Sequence, residues 1–593
     1  MKDYIYKLYK QGDYSKTFGE IDNEESNPNL LELKALSALR INRNKEAKDL
    51  FENLIKIKEK GSYYYHLGLA LLSLQKYSKA QIAFEKSLID ANFKQAATLN
   101  QAHCFVKLDK TNKALEVLIN LSKQSPQLSQ AWFMLLKQLR YSDNLNLFEQ
   151  KVFESKQHIG NTEEWAKNKL FLSFFQNKFE SVLKELDNRQ NDVELTGLLA
   201  KTHSKLANFS KAVEIYKELL KYKYSDINLY NLAAAYSKLT SAEDLALSID
   251  YANKCLQLNQ NYHQAYFCKA LAFQKMAQHK QALKNIKKAL ILDQYNCTYL
   301  YTKAELYKLE NKKKKSLKVL NKIIKIENSN NQAVRLKGII KLQQSKLQQS
   351  EKYLTRALNI DGTDQRALAY YTITNMAKNQ NKQVKKELAT EHFVKEYYFN
   401  PSEDYLNLET FNCDLEFDIK NHSLLRKNPN GLAARNGYLT DNLFADQNKS
   451  ILTFKKLLLE KIIDYIDKLP EQQDHFMLKH KTYDFKISSW ATWVKGDGFI
   501  DKHIHEDSWI SGAYYCKIPK ITKSTQGHQG YFEYGCIPND ISLSINKEKG
   551  YIKPQEGKLV IFPSYMYHQT IPHETNEDRI SIAFDLTPNS WIK

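Results

Sequence analysis

Apolar residues recur at three- and four-residue spacing through most of the first 390 positions, the pattern of helices that bury one face. A fixed period lies over that pattern. Ser248, Ala282, Ser316 and Ser350 are 34 residues apart, and seven residues after each come Cys255, Ala289, Ile323 and Ala357, every one followed by leucine or isoleucine. Upstream, Ala47, Ala80 and Ala114 are separated by 33 and 34, with Phe51 and Phe84 four residues after the first two, and Ala212 with Tyr216 repeats the pair. Small residues at constant intervals mark close approaches of paired antiparallel helices. The spacing therefore predicts a stack of roughly ten helical hairpins over residues 1–392, degenerate between about 130 and 190.

The pattern changes near 392–410, where Tyr397-Tyr398-Phe399-Asn400-Pro401-Ser402 interrupts the helical spacing. Of 11 prolines only Pro28 and Pro126 precede residue 400, and ten of the 18 glycines follow it. Beyond this point one amphipathic helix is expected over 449–469, with Ile451, Leu452, Phe454, Leu457, Leu458, Ile462, Ile463, Tyr465 and Ile466 on its apolar stripe and Pro470 at its end. Strand-like runs follow at 485–494, 509–518, 530–534, 558–562 and 579–585, and Gly496-Asp497-Gly498 reads as a turn. Short strands separated by turn signals predict a sandwich or jelly roll. The expected organisation is an all-α repeat region at 1–392, a linker at 393–409 and an α+β domain at 410–593.

Composition narrows the possibilities. The chain has 593 residues, 42% of them hydrophobic and 26% charged, enough for more than one folded core. No apolar run approaches the roughly 20 residues needed to span a bilayer, and the first residues, Met1 to Lys7, lack a secretory leader's apolar stretch. Seven scattered cysteines with no Cys-x-x-Cys pair argue against a disulfide framework or zinc ribbon and predict reduced thiols in a cytoplasmic setting. The net charge of +20 is spread along helices, densest at Lys312 to Lys315, and reads as a solvated face. No basic stripe interleaved with stacking aromatics stands out, so neither nucleic acid nor membrane is an expected partner.

The chemistry concentrates near the carboxy terminus. His503 and His505 flank Ile504, so extended backbone projects both rings to one face. His568 lies 65 residues beyond His503, and Arg579 follows 11 residues later with Ser581 at the next position on its face. Two ligands at i and i+2 with a third from another strand can cap one side of an octahedral metal and leave the other side open. An arginine beyond them can grip a carboxylate through two hydrogen bonds, and a serine can add one more. Asp507 also falls on the face of His505 if the strand continues, so alternation alone does not choose between His503/His505/His568 and His505/Asp507/His568. His528 and His573 read as packed or surface residues, and Trp490, Trp493, Trp509 and Tyr515 as core.

Two resemblances follow from these residues. The 34-residue period, with Tyr64-Tyr65-His66-Leu67-Gly68-Leu69-Ala70 and Tyr77-Ser78-Lys79-Ala80 as its closest copy, resembles the tetratricopeptide repeat. That resemblance implies a superhelical solenoid whose groove holds a protein or peptide partner. The stretches His503 to Tyr515, Phe562 to Pro572 and Arg579 to Asp585 resemble the 2-oxoglutarate/Fe(II) oxygenases fused behind such repeats. This implies a double-stranded β-helix over roughly 410–593, Fe(II) and 2-oxoglutarate as cofactor and cosubstrate, and hydroxylation with release of succinate and CO2. It also implies a metal held by His503, His505 and His568, with Asp507 as the alternative second ligand, and Arg579 with Ser581 on the distal carboxylate of 2-oxoglutarate. The competing expectation is a non-catalytic adaptor with a degenerate jelly roll.

Overall fold

The structure is a computed structural model that describes residues 2–22, 27–186, 192–206, 208–239, 241–378, 393–427, 434–440, 442–471, 475–520, 527–543, 549–573 and 575–591. Packing divides the chain into two compact units, Met1–Thr202 and His203–Lys593, so the later repeats belong to the same unit as the carboxy-terminal sheets. The expected end of the repeats at 392 lies outside the described residues.

In the first unit the described residues form helical hairpins. Ala47, Ala80 and Ala114 have no exposed surface, and neither have Phe51 and Phe84, as the period requires of positions where two helices touch. A Cβ on Gly68 would meet the Phe84 ring at 2.6 Å, so helix Gly61–Ser73 approaches helix Tyr77–Ser87 as closely as a bare backbone allows. The second unit repeats the device with serine. Ser248, Ser316 and Ser350 are fully buried and donate to the carbonyls of Ala233, Ala304 and Gly338 on the paired helix, at 2.8, 2.7 and 3.1 Å. A hydroxyl is small enough for the contact and leaves no unpaired donor there. The hairpins turn through left-handed residues, Asn42, Gln75 and Asp109 in the first unit and Ala277, Asn311 and Ser345 in the second, with φ between 54° and 60°. The left-handed residue reverses the chain between the two helices of one hairpin.

Two antiparallel sheets follow. The strands are β1 (Lys395–Tyr398), β2 (Leu425–Lys427), β3 (Ala434–Thr440), β4 (Phe485–Ile500), β5 (Ile510–Lys517), β6 (Phe532–Tyr534), β7 (Gly550–Ile552), β8 (Lys558–Pro563), β9 (His568–Thr570) and β10 (Arg579–Pro588). Seven of them order as β1-β8-β5-β10-β4-β3-β2, and the other three as β7-β6-β9. One face of the larger sheet packs on helices Leu408–Lys420 and Lys449–Asp467, burying Ile580, Ile582 and Phe584 against Leu415, Phe454 and Ile462. The other face looks across a cavity toward the smaller sheet.

The structure corrects three expectations. Within the supposed linker 393–409, Lys395–Tyr398 is edge strand β1, paired with β8 from Lys395↔Ile561 to Tyr398↔Lys558, and Phe393 and Phe399 are buried beside it. Backbone groups at the open edge of β8 find their partners there. Gly496-Asp497-Gly498 lies inside β4 instead of forming a turn, where Gly496 and Asn436 opposite take left-handed φ of 55° and 54° at a register shift between β3 and β4. On the long helix, Leu452 and Ile463 face outward, since the stripe that meets the sheet is narrower than the run of apolar residues.

Gly512 makes central strand β5 possible. A Cβ there would stand 2.3 Å from the Phe584 ring and 2.5 Å from the Val560 carbonyl oxygen. Gly512→Ala is expected to destabilise the second unit by about 1–3 kcal/mol, read as a lowered midpoint of urea unfolding followed by tryptophan fluorescence.

Candidate active site

Strand β10 has two faces. Ile580, Ile582, Phe584 and Leu586 are fully buried on the helix side, while Arg579, Ser581 and Ala583 line the cavity and Asp585 continues their face. The register with β4 is unbroken along the strand and that with β5 is regular from Ser581 onward, after a shift between Ile580 and Ser581: Ser581 pairs Thr492 and Tyr515, Ala583 pairs Trp490 and Ala513, and Asp585 pairs Ser488 and Ser511. The cavity between the sheets has a volume of about 340 Å³ and is lined mostly by apolar and aromatic side chains.

Three histidines close one end. His503 and His568 pair directly, their backbone N–H groups and carbonyls exchanging bonds of 3.0 and 3.1 Å, and the His505 N–H donates to the Ser564 carbonyl at 3.1 Å. One ring nitrogen from each histidine lies within 4.8 Å of the others. The outward nitrogens are all engaged. Nδ1 of His503 faces the Asp501 carbonyl at 2.8 Å, Nδ1 of His568 faces the Met566 carbonyl at 2.9 Å, and Nδ1 of His505 meets Asp585 Oδ1 at 2.7 Å. A carbonyl or carboxylate oxygen only accepts, so each Nδ1 carries a proton, and in a neutral ring the lone pair then falls to Nε2. Nε2 of His505 lies 3.3 Å from Nε2 of His568.

Burial, followed by the neighbouring imidazole of His505, pulls the His503 pKa down to about 4. Burial, then His503 and His505, holds His568 well below the ordinary histidine value. Both rings are thus neutral near pH 7, the form in which an imidazole is a ligand. Asp585 titrates below the usual carboxylate range: its burial acts in the opposite sense but is outweighed by His505 and by hydrogen bonds from His505, Ser511 and Ser508. Trp490 stacks on the His505 ring, centroids 5.7 Å apart at 29°.

At the other end sits Arg579, only 2% exposed. Its Nη1 donates to the Gly530 carbonyl at 2.5 Å, its guanidinium stands 5.3 Å from the Tyr515 ring, and its buried Nε has no partner among the described residues. Burial lowers its pKa from the ordinary arginine value, with the Tyr515 phenol acting in the opposite sense. A buried cation with an idle donor, facing a cavity and without a neighbouring carboxylate among the described residues, is suited to an anionic ligand.

All the residues singled out from sequence except one meet in this cavity. His503, His505, His568, Arg579 and Ser581 line it. Asp507 does not: the chain turns at Glu506-Asp507, the Asp507 side chain is exposed, and its carbonyl accepts from the Thr587 hydroxyl. Of the four aromatics read as core, Trp509 is buried with its indole N–H on the Met477 carbonyl, Tyr515 is buried and also lines the cavity, Trp493 is half-buried and stacks on Tyr438, and Trp490 lines the cavity. His573 is buried, as read, and His528 stacks on Tyr551. Sequence reading missed Asp585, although continuing the two-residue period from Arg579 and Ser581 would have reached it.

Comparison with known proteins places these features in two families of domain. The family model described as "Putative 2OG-Fe(II) oxygenase" matches residues 488–585, which include the three histidines and Arg579, and a tetratricopeptide-repeat model matches residues 61–88. No curated protein matches the chain. Among solved structures, the chain is similar to one titled the APC/C hetero-tetramer Cut9-Hcn1, at 10% identity over 62% of this chain and 88% of that one with a TM-score of 0.38. A human IFIT1 dimer with PPP-AAAA matches at 13% identity over 61% and 89% with a TM-score of 0.38, and MamA at 18% identity over 27% and 94% with a TM-score of 0.25. Seven cysteines are free, and among the described residues no helix is long and apolar enough to cross a membrane.

Proposed function

We propose that the chain is an Fe(II)- and 2-oxoglutarate-dependent oxygenase, a hydroxylase whose repeats engage a protein or peptide partner. The observation that carries this reading is the convergence of one ring nitrogen from each of three histidines to within 4.8 Å of one another, with each ring held by an acceptor at its Nδ1. Outer acceptors of this kind set the tautomer and orientation of a ligating imidazole. His503, His505 and His568 would hold the metal, and Asp507, turned out to solvent, would not. Bound there, iron and 2-oxoglutarate would supply the electrons that reduce and activate dioxygen.

The protein's own groups then divide the remaining work. Asp585 keeps the proton on Nδ1 of His505 and sets a negative charge one residue away from the three imidazoles. Arg579 receives the distal carboxylate, with its unengaged Nε available, and Ser581 adds a hydroxyl from the same strand face. Phe562, which meets His568 at a centroid distance of 4.5 Å, and Trp490 exclude water from the imidazoles. We place the junction between the two functions within 378–395, after the last described repeat helix and before β1.

Calorimetry under anaerobic conditions tests the reading. The wild type is expected to bind one Fe(II) per chain and then 2-oxoglutarate, and to release succinate once oxygen is admitted. His568→Ala should lower succinate release by about 100-fold or more while leaving the circular dichroism spectrum intact. Absence of metal-dependent 2-oxoglutarate binding by the wild type would overturn it.

A further inference from the structure

The repeats closest to the sheets contact both backbone segments that carry the histidines. Asp540, in the loop after β6, is held by residues on or at the end of three repeat helices, Cys297–Leu309, Asn331–Leu342 and Gln365–Ala377: Lys308 pairs with it at 2.8 Å, Gln343 donates to it at 2.8 Å and the Tyr370 hydroxyl at 3.2 Å. Beside it, Ile541 is buried among Ile339, Leu342, Leu354 and Ile373 of the same repeats. This loop is tied in turn to the histidine strand, because the Cys536 N–H donates to the Tyr567 carbonyl at 3.0 Å and Tyr567 immediately precedes His568. The Tyr567 ring also meets Tyr370 edge-on at 6.1 Å.

A second tie runs to His505. Glu506, the next residue, pairs with Arg366 at 3.5 Å, and Arg366 also reaches Glu305 at 3.9 Å. Helix Gln365–Ala377 that carries Arg366 is itself pinned at its start, where Asp364 accepts from the Ala367 N–H at 2.8 Å and pairs with Arg335 at 2.7 Å. Neither tie touches the cavity.

We propose that the last three repeats are a working part of the histidine site, with Asp540 and Arg366 as positioning residues that hold the segments bearing His568 and His505 in register for a metal. The proposal goes beyond the oxygenase reading in assigning the repeats a role inside the site. It rests on that reading for the identity of the triad as metal ligands. The oxygenase cannot then be treated as a module that folds to its working geometry independently of the helices before it.

The test uses the full chain and separates the two readings. In the metal-free protein, Asp540→Ala is expected to speed hydrogen exchange of the His503 and His568 amides by about 10-fold, and Arg366→Ala that of the His505 amide, with exchange in the helix Lys449–Asp467 unchanged. Cobalt(II) titration should then show affinity lowered by about 10-fold or more in both alanine variants, with altered visible absorption, as expected when support behind a ligand is lost. Asp540→Asn, whose single amide oxygen in the place of Oδ2 still accepts from Gln343 and lies 3.5 Å from the Tyr370 hydroxyl, and Arg366→Lys should recover most of the affinity and the wild-type spectrum. Unchanged exchange in the alanine variants overturns the brace whatever the metal does, as does faster exchange with wild-type cobalt affinity. A wild-type chain that takes up no cobalt overturns the metal reading, and the proposal with it.

Discussion

Arg579→Met is expected to weaken 2-oxoglutarate binding by about 100-fold or more, while leaving the ligand-free protein no less stable than the wild type. The first half follows from the loss of a charged, two-pronged donor inside a cavity where water cannot replace it. The second half follows from burial. Arg579 is 2% exposed, its Nε lacks a partner among the described residues, and the ordinary cost of holding an unpaired cation in an apolar interior disappears when methionine fills the same volume. Against this, Gly530 loses a donor to its carbonyl, so the net change is small or favourable. Calorimetry of 2-oxoglutarate and thermal unfolding of the ligand-free chain measure the two effects. A variant that unfolds at a lower temperature yet binds 2-oxoglutarate normally would mean that Arg579 is a packing residue.

Asp585→Asn is expected to lower metal affinity by about 10- to 100-fold, the usual consequence of losing a carboxylate behind a ligating imidazole. Asp585 accepts from Nδ1 of His505 at 2.7 Å and from the Ser511 hydroxyl at 2.6 Å, and no carboxylate belongs to the triad itself. The amide that replaces it can still accept one hydrogen bond, but it contributes no charge, and its NH2 group competes for the same place. Ser511→Ala serves as the comparison, since it removes a neighbour of Asp585 without touching His505, and it should cost about tenfold less affinity than Asp585→Asn. Fe(II) or cobalt(II) titration checks both. Equal affinities in wild type and Asp585→Asn would leave the triad without the electrostatic support argued here.

How much of this was legible beforehand depended on whether a feature was local. The repeat period could be read because each hairpin uses the same small residue at the same contact, and Ala282, Ser316 and Ser350 are all fully buried. The inward face of β10 could be read because alternation is a property of one strand. Strand β1 could not, since four residues become a strand only by pairing with β8, more than 150 positions away. Helix Leu408–Lys420 likewise takes its buried face from the sheet it covers. The alternation that put Asp507 on the face of His505 required the backbone to stay extended past 505, and a turn at Glu506-Asp507 carries Asp507 out to the surface instead. The ties from Asp540 and Arg366 join segments that no sequence pattern brings together.

The two ends of the cavity are joined by a single piece of hydrogen-bonded backbone. Arg579 opens β10 and Asp585 stands six residues along the same face, laddered to β4 throughout and to β5 from Ser581 onward. The span from the guanidinium to the imidazole cluster is therefore set by the pitch of a clamped strand and cannot stretch to suit a visitor. If the cavity takes a metal and 2-oxoglutarate as proposed, such a rod would work as a gauge: an acid whose two carboxylates are spaced for it would touch both stops at once, and a shorter or longer one would reach only one.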